Sequence, residues 1–192
     1  MKSLKKIGST PAGVSLLSDD LIEFHAGRIM LLIGYCGVKS RKDKSIRIEG
    51  LTKLAKLDFF LRYPEFFRKA ATHLNNPIEI VGDAPIESKM IRFHYGPWDS
   101  RYYQILPFLE ARNVLKIVKE NTTYNFVLTQ TGIDAVNELT KLEQFNDLIA
   151  NIKTIKKVLG GLNGTTLKNL VYNLFEIEVA DKKLKESISY EL

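Results

Sequence analysis

Two β-rich runs, Leu115–Lys119 and Tyr124–Leu128, sit inside a chain whose other long segments follow a helical period. Glu120, Asn121, Thr122 and Thr123 join the runs, which predicts a hairpin. Tyr124, Phe126 and Leu128 share one face of its second strand. Three helical patterns and an irregular excursion precede the hairpin, and another helix follows it. That order, helix, helix, excursion, helix, hairpin, helix, is the winged-helix order. The expected class is therefore α+β, mainly α: a winged-helix-like core with a β-hairpin wing and a C-terminal helical extension. Residues 1–19 read as an N-terminal arm, 20–145 as the winged-helix-like domain and 146–192 as the extension.

Each helix carries its own signals. Asp20 and Glu23 have the spacing of a capping box. Leu21, Ile22, His25, Ile29, Leu32 and Ile33 then mark an inner face, with Gly34 and Gly37 as terminators. A second helix spans Leu51 to Tyr63 and stops at Pro64. A short helix runs on to Leu74, and residues 75–88 read as the excursion. Met90 to Tyr95 alternates weakly, as a short strand, and Gly96-Pro97 turns the chain. Tyr102, Ile105, Leu106 and Leu109 stripe a third helix over about 99–113, with a bend expected at Pro107. Thr129 caps a helix whose apolar spacing continues from Ile133 to Ile155, long enough for ~30 residues or ~45 Å. Gly160, Gly161 and Gly164 end it. A last amphipathic helix carries Leu167, Leu170, Val171, Leu174 and Phe175, capped by Thr165 or Thr166. The charged tail from Glu176 is expected to fray.

The motifs that carry catalysis are missing from this pattern. His25, His73, His94 and the single cysteine, Cys36, lack metal-ligand spacing. The glycine-rich run 160–164 lacks the lysine of a phosphate-binding loop and follows a helix. Asp19-Asp20 fits helix capping. No nucleophile elbow is present. No enzyme activity, cofactor, metal or small-molecule substrate is expected. The longest apolar run, Ile29–Ile33, is too short for a membrane span, and no secretory signal is expected. One cysteine suits a reducing cytoplasm.

The net charge is +6, which permits contact with nucleic acid or an acidic protein. Lys39, Arg41, Lys42, Lys44 and Arg47 form a basic loop, either a phosphate contact or a solvated loop. Lys53 and Lys56, on the outward face of the second helix, extend it. Lys116 and Lys119 of the wing are further phosphate candidates. Trp98, Arg101, Tyr103 and Phe108 have the residue types of a partner interface. Core packing of Trp98 and Tyr102, or entry of the third helix into a major groove, remain open for the same segment. Asp58 and Arg62, one turn apart, predict a charge pair.

Two stretches carry a resemblance: Glu49-Gly50-Leu51-Thr52-Lys53-Leu54-Ala55-Lys56-Leu57-Asp58-Phe59-Phe60-Leu61-Arg62-Tyr63-Pro64, and Glu87-Ser88-Lys89-Met90-Ile91-Arg92-Phe93-His94-Tyr95-Gly96-Pro97-Trp98-Asp99 with Arg101-Tyr102-Tyr103. With Leu128-Thr129 and Gly132, over roughly residues 20–175, the chain resembles the middle component of bacterial ABC-three-component systems, the accessory subunit of Lamassu-type defence operons. The resemblance implies a non-catalytic subunit that bridges or regulates an SMC-like ABC ATPase and an effector, often a nuclease. Non-specific contact with double-stranded DNA would be secondary. The alternative is a stand-alone winged-helix transcription regulator.

Overall fold

The computed structural model describes residues 21–40, 45–81 and 89–189. It is α+β and mainly helical, with a small antiparallel sheet. In chain order the elements are α1 (Ile22–Cys36), β1 (Val38–Lys39), β2 (Ile46–Glu49), α2 (Leu51–Arg62), α3 (Pro64–His73), β3 (Ile91–Phe93), β4 (Gly96–Trp98), α4 (Tyr102–Ala111), β5 (Leu115–Glu120), β6 (Thr123–Leu128), α5 (Gln130–Leu139), α6 (Asn146–Leu159) and α7 (Gly164–Leu174). Their apolar faces meet in one core, into which α1 and α2 are sunk almost completely.

The hairpin forms with a tighter turn than expected. Glu120 pairs with Thr123, so only Asn121 and Thr122 lie in the loop. Asn121 takes a φ of 54°, a left-handed value that Asn tolerates. The first sheet runs β1-β2-β6-β5. Its other half is a correction. The basic stretch expected as a loop is strand on both flanks, with Val38 opposite Arg47 and Lys39 opposite Ile46. Arg41, Lys42 and Lys44 lie outside the described residues, as does the capping candidate Asp20. α1 starts from Leu21 without a side-chain cap, runs through Gly34 and ends at Gly37.

Close approaches fix two junctions. Gly50 opens α2 at a φ of 86°, which an L side chain rarely adopts. A Cβ on Gly132 would run into the Val114 carbonyl, so only glycine lets α5 start this close to β5. Thr129 caps α5 as expected: its hydroxyl accepts from Gly132 N at 3.0 Å and donates to Asn113 O at 2.6 Å.

Four more expectations change. The helix expected over about 130–159 is broken: α5 ends at Leu139, a 3₁₀ turn spans Glu143–Phe145, and α6 begins at Asn146. The break drops Phe145 into the core and lets α6 lie along α1. Asn163, not a threonine, caps α7, accepting from Thr166 N at 2.8 Å. Gly96 and Pro97 belong to β4, paired with Phe93 and Arg92. The tail is docked: a π-type turn spans Glu176–Ala180, Val179 and Ile188 are fully buried, and Ile188 N donates to Met90 O at 2.8 Å.

Candidate functional site

The two stretches that carry the resemblance meet in a buried polar chain. Arg28 stands on α1 inside an apolar run, fully buried. Its Nε donates to Asp58 Oδ1 of α2 at 2.7 Å, and Tyr102 of α4 donates its hydroxyl to Asp58 Oδ2 at 2.7 Å. His25, one turn before Arg28, faces Arg28 Nη1 with Nδ1 at 3.0 Å and Arg101 Nη1 with Nε2 at 2.8 Å. A neutral imidazole can accept at only one of those nitrogens. Arg101 grips Asp99 through Nε and Nη2, the latter at 2.6 Å from Oδ2. Arg62 donates from Nη1 to Asp99 Oδ2, also at 2.6 Å.

This replaces the expected Asp58–Arg62 pair. Each of the two turns to a different element: Asp58 to α1 and α4, and Arg62 to the turn before α4. Buried charges are tolerated because they are paired and hydrogen-bonded. The arrangement ties α1, α2 and the start of α4 together. It also commits Arg101 inward, away from the partner surface expected for it.

Burial works against the charge on Asp99, but hydrogen bonds from Arg101 and the charge of Arg62 outweigh it and hold the carboxyl at about 2. A carboxyl depressed in the folded state stabilises above its unfolded value near 4 and loses that contribution as pH falls through the folded value. Asp99→Asn is therefore expected to cost about 2 kcal/mol at neutral pH and to flatten the loss of stability between about pH 4 and pH 2. Urea unfolding across that range checks it. Burial, followed by the charge of Asp58, raises the Tyr102 phenol well above its ordinary value, so it stays a donor. Burial likewise pushes the Cys36 thiol up to about 12, which leaves it unreactive.

Lys53 and Lys56 are not on an outward face. Both are buried: Lys53 Nζ donates to Gly160 O at 2.9 Å and Lys56 Nζ to Pro97 O at 3.1 Å. Helix α2 is covered by α6 and α7 and by β4, so the aliphatic stems run through the core and the amines end on backbone carbonyls. Burial and the nearby charge of Lys168 lower the Lys56 amine to about 7.

The basic candidates on the sheet are dispersed. Arg47 is bound by Glu49 at 3.1 Å and Glu120 at 3.5 Å, which offsets its charge. Lys116 and Lys119 lie three positions apart on β5 and so project to opposite faces. The Lys119 amine stands over the Tyr124 ring, 5.6 Å from its centroid. Lys39, in β1, is exposed.

The aromatic candidates separate into two places. Trp98 is half-buried, edge-on to Tyr102 and 5.7 Å from the Tyr103 ring. Tyr103 is 65% exposed and Tyr95 63%. With Phe93 and His94 they surround a recess whose inner end is Lys56. Phe108 lies apart, against Arg112, beside a depression floored by Gly27 and Met30. Sequence reasoning missed Arg28, Asp99, Phe93 and Tyr95. Arg28 carried a signal: one charge inside the apolar run 26–33 calls for a buried partner.

Among the described residues no group of three His, Cys, Asp or Glu could hold a metal ion, and no helix is long and apolar enough to cross a membrane. No family model, curated protein or solved structure matches the chain.

Proposed function

We propose that the chain is a non-catalytic accessory subunit that binds an SMC-like ABC ATPase and an effector in a bacterial defence complex of the cytoplasm. The reading rests on the resemblance of the two stretches, and one observation carries it further. Lys53, Lys56, Asp58, Arg62 and Asp99 of those stretches are engaged inside the molecule, whereas Tyr95 and Tyr103 stand exposed around Trp98. Tyr and Trp dominate protein–protein hot spots. The partner surface is this aromatic rim.

The core is winged-helix-like. α1, β2, α2, α3, α4 and the β5–β6 hairpin follow one another in that order, and β2 pairs with β6. The exposed positions of α4 from 103 to 110 are Tyr103, Gln104, Pro107 and Glu110, with no Lys or Arg among them. Base readout calls for long polar side chains there, so protein docking is favoured over operator recognition. DNA contact is non-specific and secondary.

A tagged chain is expected to co-purify with a large ATPase in near-stoichiometric yield. Tyr95→Ala with Tyr103→Ala should weaken that capture at least about tenfold at unchanged unfolding midpoint, as for paired hot-spot residues. Elution as a homodimer that selects one DNA sequence would instead establish the regulator.

A further inference from the structure

We propose that the recess between the β3–β4 hairpin, α2 and α4 is a binding site for a small aromatic carboxylate. Phe93, Tyr95, Trp98 and Tyr103 form its walls, and Leu51 and Thr52 its rim on α2. Its volume is about 200 Å³, below the ~300–1,000 Å³ of sites for drug-sized ligands, so it suits one substituted ring. The Trp98 ring lies 5.7 Å from both Phe93 and Tyr103, tilted by 30° and 52°. A flat ring lying in the recess gains offset or edge contacts with these walls.

The inner end supplies the charge. Lys56 is 1% exposed, and its ammonium has three N–H groups. Pro97 O takes one of them. The positive charge of Lys168 bears on Lys56, and among the described residues no carboxylate pairs with either lysine. A buried lysine without a carboxylate partner among the described residues, lining an apolar recess, favours an anion there. A carboxylate fits the remaining donors and offsets the repulsion, while its ring covers the aromatic walls. Burial and Lys168 hold the Lys56 amine near 7. Only its charged form attracts the ligand, so affinity falls as pH rises through and above that value.

Trp98 is the only tryptophan, so tryptophan-selective excitation reports on this wall alone. The full chain is titrated with 3-phenylpropionate and with the neutral 3-phenylpropionamide. The acid is expected to shift Trp98 emission saturably and to bind about tenfold tighter than the amide near pH 6, with the preference shrinking towards pH 8. Lys56→Met should bring the acid down to the level of the amide. Tyr103→Ala alters an exposed wall residue and should weaken the acid about fivefold at unchanged stability, which keeps the test decisive if Lys56→Met does not fold. Equal binding of acid and amide, or no saturable shift below about 10 mM, the weak end of specific recognition, overturns the proposal. The ATPase is absent from this assay, so its outcome is separate from that of the subunit reading.

Discussion

Asp58→Ala is expected to destabilise the fold by about 3–5 kcal/mol, the cost of removing one member of a buried ion pair. Asp58 is fully buried and takes hydrogen bonds from the Arg28 guanidinium and the Tyr102 hydroxyl. Its loss leaves both donors facing a void in the centre of three helices. For a chain of this length the thermal midpoint should fall by roughly 10 °C. Tyr102→Phe removes only one hydrogen bond to a charged group and should cost about 1.5–3 kcal/mol. Urea unfolding of the two variants beside the wild type checks the ordering. A loss from Asp58→Ala no larger than that from Tyr102→Phe would mean that Arg28 contributes nothing through this carboxylate.

Phe175→Ala is expected to cost about 3–5 kcal/mol for the same reason of central placement, now in apolar terms. Phe175 is fully buried just beyond α7. Its ring lies 4.6 Å from Phe66 and 6.5 Å from Phe59, and Lys69 stands over it at 5.4 Å. The cavity would open between α2, α3 and α7, beneath the docked tail. Denaturant unfolding gives the global loss, and amide exchange at Ile188 tells whether the tail opens with it. Exchange that rises at Ile188 without a shift of the unfolding midpoint would show that the tail opens as a separate unit.

Local chemistry was legible in the sequence wherever one segment decides its own structure. Pro64 stops α2 and starts α3, Thr129 caps α5, and the stripe Tyr102, Ile105, Leu106, Leu109 is the buried face of α4. Failures came where distant parts decide. β2 is stabilised by pairing with β6, nearly eighty residues on, and polarity alone disguised it as a loop. The apolar spacing through 133–155 continues across the break before α6, and neither Gly nor Pro marks it. The i,i+4 rule that joined Asp58 to Arg62 describes exposed helices. In α2, enclosed on all sides, charges reach across to other helices instead. Lys53 and Lys56 misled for the same reason, since a lysine stem can cross a core when its amine finds a backbone carbonyl to donate to. Of the candidate site, Trp98 and Tyr103 were visible as residue types. Tyr95 and Phe93 became part of it only through the β3–β4 hairpin. The charged tail concealed Val179 and Ile188, two isolated apolar residues without a period.

The pairing of early elements with late ones sets how the chain can be made. α1 packs on α6, α2 on α7, and Met90 receives Ile188. A ribosome delivers α1 and α2 long before the segments that cover them. Until α7 and residues to 188 have emerged, the nascent chain shows the apolar faces of its two most buried helices to solvent. Chains with such long-range closure fold slowly and pass through sticky intermediates. Overexpression should therefore favour lower temperature and chaperone supply, because the hazard lies in the half-synthesised molecule and not in the finished one.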